Sequence, residues 1–313
     1  QIKIYDPTSG SGSLLIHIGQ AVARRNGNPD SIKYYAQELK ENTYNLTRMN
    51  LVMRGILPDN IVARNGDTLE DDWPWFDTEE NKEETYDPLF VDAVVSNPPY
   101  SQNWDSTDKE LDPRFSYGIA PKSKADYAFL LHDLYHLRPD GIMTIVLPHG
   151  VLFRGGAEGT IREELLKKGA IYAVIGLPAG IFSSTGIPTC VVILKKNNTE
   201  RSVLFIDGSK DFRKERAKNW LEDEHIDKMF NAFKDRKDIE KYAHLASYQE
   251  IEQNEFNLNI PRYVDSTEEE EEIDLQATFA ELAKLEQEEK EVDAKLAEFF
   301  KELGLHFGEE GTK

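Results

Sequence analysis

The sequence predicts an α/β fold, a doubly wound and mainly parallel sheet with a C-terminal helical extension. Three observations carry this. Short β-branched apolar runs alternate with helix-period stretches through most of the chain. The first such run, Ile2-Lys3-Ile4-Tyr5, is followed by a glycine-rich turn and then by a helical pattern. Acidic or polar residues recur where successive strands end, the edge at which such sheets bind ligands.

The opening turn is Asp6-Pro7-Thr8-Ser9-Gly10-Ser11-Gly12, and Leu14 to Val22 continues as helix. Gly10 and Gly12 let the backbone approach a ligand closely. The dinucleotide fingerprint is absent, because its third glycine would fall at Leu15. An acid at the strand end suits a cationic amino-acid moiety better than a phosphate. The second strand, Ile32 to Glu38, ends in a carboxylate placed to take both hydroxyls of a ribose. Glu41 to Met53 reads as an amphipathic helix, with Tyr44, Leu46, Met49 and Met53 expected on its buried side. Ile61 to Arg64 is a third strand, after which Asp67 could accept from an adenine amine. Taken singly, Glu38 and Asp67 have a plainer reading as solvated surface acids, and the opening turn one as a structural turn alone.

Glu70 to Pro88, with Trp73, Trp75 and Phe76, reads as a surface excursion. Val91 to Ser96 is a fourth strand that runs into Asn97-Pro98-Pro99-Tyr100. Two consecutive prolines donate no backbone N–H and stiffen the turn, which holds the flanking Asn and Tyr in place. The Asn97 amide oxygen and the Pro98 carbonyl can face one amine, while Tyr100 offers a flat π surface. The combination suits a planar base gripped by its exocyclic NH2; an ordinary strand-ending turn is the alternative. The polar stretch Ser101 to Lys124 is either a segment closing over substrate or an insertion.

Asp126 to Leu137 reads as a helix, Ile142 to Leu147 as a strand, and His149 as a hydrogen-bonded structural histidine. Glu158 to Lys168 is a helix; Ile171 to Ile175, Ile187 to Leu194 and Val203 to Ile206 are strands. Arg213 to Lys218 is the densest basic patch, either phosphate-facing or a solvated helix face. Ile226 to Phe233 reads as helix and Phe256 to Tyr263 as an extended run. Glu268 to Glu272 reads as a solvated linker. In the tail, Leu282, Glu289, Leu296 and Leu303 form one heptad row and Leu285, Val292 and Phe299 its companion. Such a seam wants a partner helix, from another subunit or folded back. The expected organisation is a main domain over residues 1–200, an α/β extension over 201–266, and an acidic linker with a subunit-contact helix over 267–313.

Composition narrows the function. The net charge of −20 argues against unaided DNA binding. Residues 264–313 hold 17 acidic and 5 basic side chains, however, so the tail contributes most of the charge and the remainder is only mildly acidic. One cysteine, Cys190, rules out a disulfide framework within the chain and a Cys-rich zinc site; it reads as a small core residue. No apolar run reaches the ~18 residues of a membrane span. The chain reads as soluble and cytoplasmic, with no metal requirement.

The succession Asp6-Pro7-Thr8-Ser9-Gly10-Ser11-Gly12, Glu38, Asp67 and Asn97-Pro98-Pro99-Tyr100 resembles an S-adenosylmethionine-dependent amino-methyltransferase of Rossmann-like fold. Three later stretches, Leu147 to Gly156, Thr185 to Cys190 and Asn257 to Tyr263, are similar to the modification subunit of type I restriction-modification systems. The resemblance implies methylation of adenine N6 in DNA, with the target base flipped out. It implies S-adenosyl-L-methionine held by Asp6 and the turn from Thr8 to Gly12 (Thr8, Ser9, Gly10, Ser11, Gly12), by Glu38 and by Asp67. It assigns catalysis to Asn97, Pro98, Pro99 and Tyr100. It implies a second modification subunit, a specificity subunit and a restriction subunit as partners. The family also carries an N-terminal helical domain and a further cofactor segment ahead of the first strand, so this chain, opening at Gln1, is expected to be a fragment. A protein-glutamine or ribosomal-RNA methyltransferase, or an inactive scaffold subunit, are the alternatives.

Overall fold

The apolar runs marked as strands all join one sheet in the computed structural model, which describes residues 1–25, 27–70, 88–182, 185–215, 218–266 and 275–304. The excursion holding Trp73, Trp75 and Phe76 and the acidic block Glu268 to Glu272 lie outside the described residues. The elements, in chain order, are β1 (Ile2–Asp6), α1 (Ser13–Arg24), β2 (Ile32–Glu38), α2 (Glu41–Met53), β3 (Ile61–Asn65) and β4 (Val91–Ser96). Then come α3 (Asp126–His136), β5 (Leu137–Pro148), α4 (Ala157–Lys167), β6 (Ile171–Gly176), β7 (Thr189–Leu194) and β8 (Val203–Asp207). The remainder are β9 (Arg213–Lys214), β10 (Asn219–Trp220), α5 (Asp223–Asp235), β11 (Ala243–Ala246), α6 (Tyr248–Gln253) and α7 (Leu275–Glu302).

Among the described residues the main sheet has nine strands in the order β11-β8-β6-β7-β5-β4-β1-β2-β3. β7 runs antiparallel to both β5 and β6, and β11 antiparallel to β8; the other pairs are parallel. The strand order reverses at β1, which pairs with β2 on one side and β4 on the other. That is the switch point where crossovers diverge to opposite faces and leave a crevice at the carboxyl ends. The register Tyr5↔Val94 and Asp6↔Ala36 brings the ends of β1, β2 and β4 level there.

The core is carried by α3 and the central strands. In α3 every residue from Asp126 to His136 except Tyr135 is buried, charged ones included. The sheet continues beyond residue 200 through β8 and β11. The Asn257 to Tyr263 run closes onto it: Tyr263 stacks on Phe205 at 3.9 Å, and the Leu258 amide donates to the Leu152 carbonyl at 2.8 Å. His149 bonds the Thr189 carbonyl at 3.0 Å, tying the end of β5 to β7, the structural role read from its setting. Cys190 is fully buried, and burial pushes its thiol well up.

Three local expectations are corrected. On α2 the buried residues are Thr47 and Leu51, whereas Leu46, Met49 and Met53 face outward. The helix turns its Thr47 face inward because that hydroxyl bonds the Gly10 carbonyl and the Thr43 carbonyl. The basic patch opens as strand and not as helix: Arg213 and Lys214 form β9, paired with β10, and Arg213 is neutralised by Glu215 and Glu222, while Arg216 and Ala217 lie outside the described residues. The fifth strand begins earlier than its apolar run, at Leu137, so it follows α3 directly.

Two compact units divide the chain, residues 1–266 and 267–313. In the second, α7 is a single helix of 28 residues, and Leu282, Leu285, Val292, Leu296 and Phe299 are exposed along it. Among the described residues no helix is long and apolar enough to cross a membrane.

Candidate active site

The turn after β1 is shaped by its neighbours rather than by its own residues. Gly12 has φ +78° and Gly10 has φ +54°, a region that L side chains adopt only with strain. The Ser9 amide donates to the Gln37 carbonyl at 2.9 Å, and the Gly12 amide to the Ser9 carbonyl at 2.7 Å. From α2, Asn50 donates to the Ser11 carbonyl at 2.9 Å. Glu38 at the tip of β2 receives the Gly10 amide at 3.0 Å and the Lys40 amide at 3.0 Å, one on each oxygen. A carboxylate accepts about four hydrogen bonds, so Glu38 retains acceptor capacity.

A cavity of about 330 Å³ opens at this edge. Pro7, Thr8, Glu38, Asp67, Pro99 and Phe129 are among its lining residues, together with Lys40, Thr43 and Gln102. Residues far apart in sequence from the ends of β1, β2, β3 and β4 therefore meet in one space. Asp67 bonds the Leu69 amide through one oxygen at 2.9 Å. Asp6 lies beneath the turn, 1 % exposed, where one oxygen accepts the Thr8 amide at 3.1 Å and the other has no hydrogen-bond partner. Burial, helped by the nearby Glu38 charge and opposed by the Thr8 amide, pushes its carboxyl up to about 7. Of the turn, Thr8 reaches the cavity wall, while Ser9, Gly10, Ser11 and Gly12 act through the backbone bonds above.

The tetrapeptide sits at the end of β4 with Asn97 exposed, Pro98 buried and Tyr100 half-buried. The Tyr100 hydroxyl donates to the Asn97 Oδ1 at 2.7 Å, which fixes the amide's orientation and leaves a second lone pair on that oxygen. Burial pushes the Tyr100 hydroxyl up to about 12, so it stays a neutral donor. Ser101 follows with φ +50°, and its amide is held by Asp126 at 2.7 Å. Asp126 also pairs with Arg154 at 2.6 Å, and Arg154 in turn with Glu158 at 2.7 Å.

The stretch Ser101 to Lys124 is pinned at several points. Trp104, Arg114 and Phe115 are buried. Arg114 donates to the Thr68 and Leu69 carbonyls at 3.1 Å each and bonds His132 at 3.2 Å. His132 bonds the Tyr5 hydroxyl at 3.0 Å, and that hydroxyl donates to Gln37 at 3.0 Å. Burial, with His136 and Arg114 beside it, holds His132 well below its ordinary range, so the ring is neutral. This chain ties the Asp67 segment to β1 and β2.

The sequence model described as N-6 DNA Methylase matches residues 1–272. The chain belongs to the N-6 DNA methylase family. It is 34% identical over 311 residues to the type I restriction enzyme MpnII methylase subunit of Mycoplasma pneumoniae, covering 97% of this chain and 56% of that protein. It is 34% identical over 305 residues to the MjaVII methylase subunit of Methanocaldococcus jannaschii, covering 93% and 50%. Among solved structures it is similar to the type I restriction-modification system methyltransferase subunit from Streptococcus thermophilus, with TM-score 0.78, 52% identity, and coverage of 84% of this chain and 54% of that one. The chain spans about half the length of the curated relatives it matches.

Sequence reasoning missed Asp126, Asp133, Arg114 and Arg154. The first two had a visible signal, as acids inside an otherwise apolar helix pattern. The two arginines had none, because their partners come from distant segments.

Proposed function

We propose that this chain is the methyl-transfer part of a type I modification subunit and acts on adenine N6 in DNA. The observation that carries the reading is the single cavity at the β1/β4 switch point, which gathers Thr8, Glu38, Asp67 and Pro99. The residues fit S-adenosyl-L-methionine. Glu38 has acceptor capacity for ribose hydroxyls, and Phe129 and Leu39 give apolar walls for a purine; Asp6, buried beneath the turn rather than on the cavity wall, keeps one oxygen without a partner for a cationic group. When bound, that cofactor supplies an electrophilic methyl group.

The target base would have to leave the duplex stack to reach the tetrapeptide. Tyr100 would stack on it, worth about 1–3 kcal/mol for a base on an aromatic ring. The free lone pair of Asn97 Oδ1 and the Pro98 carbonyl would accept the two amine N–H groups. Holding both draws the amine nitrogen out of conjugation and aims its lone pair, a gain through orientation. The rigid Pro-Pro turn and the Asp126 grip on the Ser101 amide keep these acceptors in register. Partners in this reading are a specificity subunit, a second modification subunit and a restriction subunit, with cytoplasmic location. Sequence recognition lies on another subunit, which fits the acidic balance of this chain.

The test is an acceptor comparison with methyl-labelled cofactor and the assembled complex. Label should enter DNA carrying the recognition site. Label entering ribosomal RNA or a protein glutamine instead would replace this reading with one of its rivals. Cofactor binding without transfer to any acceptor would favour an inactive scaffold.

A further inference from the structure

The three strand-end acids, Asp6, Glu38 and Asp67, each stand beside a member of one buried hydrogen-bond network. Tyr5 precedes Asp6, Gln37 precedes Glu38 and Thr68 follows Asp67. Arg114 donates through Nη1 to the Thr68 carbonyl at 3.1 Å and to His132 Nδ1 at 3.2 Å. His132 Nε2 meets the Tyr5 hydroxyl at 3.0 Å, and that hydroxyl donates to Gln37 Oε1 at 3.0 Å. Tyr5, Gln37 and His132 are 0 % exposed and Arg114 is 3 % exposed. The network reaches the cavity wall from several sides. Thr68 lines it, Glu38 follows Gln37 onto it, and Phe129 lines it one turn before His132 on α3. The Gln37 carbonyl also accepts the Ser9 amide of the glycine turn at 2.9 Å.

The position of every proton along this path is fixed from one end. A guanidinium donates and never accepts. Facing Arg114, His132 Nδ1 is therefore the acceptor, and the ring proton sits on Nε2. Tyr5 then accepts from His132 and gives its single hydroxyl proton to the Gln37 oxygen, the atom it meets. An imidazolium would set a second N–H against the guanidinium, so the ring is neutral on hydrogen-bond grounds alone. Asp112 balances the Arg114 charge, accepting from Nε at 3.0 Å and from Nη2 at 2.6 Å. An apolar filling of the same shape would be about as stable, whereas a fully satisfied polar network specifies one arrangement.

We propose that His132 is a positioning residue for cofactor binding: its neutral ring, protonated on Nε2, locks the ends of β1 and β2 to the Arg114-held segment after β3. This rests on the cofactor reading above. Ribose and adenine are joined by one bond, so Glu38 and Asp67 can serve both only at a fixed spacing. Holding that spacing before the cofactor arrives lowers the cost of ordering the site on binding. His132 itself touches neither cofactor nor base. It acts through Tyr5 and Gln37 on one side and through Arg114 on the other.

The experiment is steady-state methylation of site-bearing DNA by the full modification complex, with cofactor affinity measured alongside by calorimetry. Tyr5→Phe keeps the ring and deletes the hydroxyl through which His132 reaches β2. It should weaken S-adenosyl-L-methionine binding about tenfold, the worth of roughly one net hydrogen bond, and raise its KM to match. The kcat at saturating cofactor should stay within about twofold of wild type, the pattern of lost uniform binding, because Asn97 and Tyr100 lie outside the network. His132→Leu should give the same split. In a nitrogen-15 histidine spectrum of the wild-type complex, the signals lost in His132→Leu should be those of an Nε2–H tautomer. An Nδ1–H or doubly protonated ring, unchanged affinity in Tyr5→Phe, or a kcat that falls as far as affinity does overturns the inference alone. Absence of any cofactor binding by the wild-type complex overturns the cavity reading and the inference with it. Tyr5→Phe, close to isosteric, decides the matter if His132→Leu does not fold.

Discussion

Asn97 and Tyr100 are bonded to each other before any base arrives, at 2.7 Å. The pair therefore acts as one preformed acceptor-and-platform unit. In the assembled complex, Asn97→Ala should lower methyl transfer about 100-fold or more, by analogy with the loss of one positioned polar group at a reacting centre. Cofactor affinity measured by calorimetry should stay the same; undiminished transfer would refute the role given to Asn97. Tyr100→Ala should weaken capture of the extruded base by about 1–3 kcal/mol. A fluorescent base analogue at the target reports that directly, and an unchanged signal would reject stacking. The tetrapeptide, Glu38 and Asp67 were legible in the sequence because each sits next to a strand whose end is easily read. The burial of Asp6, 1 % exposed, was not legible: which strand-end acid lies under the chain and which meets solvent is decided by tertiary packing that the strand pattern does not record.

At the scale of elements, α2 holds the glycine turn from one side and the Asp126–Arg154–Glu158 network holds the Pro-Pro turn from the other. Gly12→Ala places a side chain at φ +78° and within 3.3 Å of the Thr47 Cγ2 atom. That should cost about 1–2 kcal/mol in backbone strain and reduce cofactor affinity, as read by thermal unfolding and calorimetry on one sample. Arg154→Met leaves Asp126, fully buried, and Glu158, nearly so, without their cation. Breaking such a buried pair costs about 3–5 kcal/mol, and a denaturant midpoint within error of wild type would remove the network from the account. Eight of the nine strands of the main sheet were readable from apolar, mostly β-branched runs; β11, Ala-His-Leu-Ala, has no β-branched residue and left no such signal. The face of α2 was misread because periodicity weighs apolar residues alone. Here the inward face is chosen by a threonine hydroxyl with a backbone carbonyl to bind.

At the scale of the molecule, one unit contains the sheet and its cavity, and the other carries an apolar seam exposed along α7. The proposed division of labour gives chemistry to the first and subunit contact to the second. Leu285→Glu together with Val292→Glu should break association with partner subunits in size-exclusion light scattering while the thermal transition of residues 1–266 persists. Retained assembly would reject the seam as a docking element. The heptad rows were plain in the sequence, whereas the identity of the helix they would meet is not encoded in the rows themselves. The central claim is that the donor lies where β1, β2, β3 and β4 end. A crystal structure of the modification complex with S-adenosylhomocysteine tests it most directly. The expected result is ribose hydroxyls within hydrogen-bond distance of Glu38, with the purine between Asp67 and Phe129. A ligand bound elsewhere, leaving this cavity empty, would contradict the account.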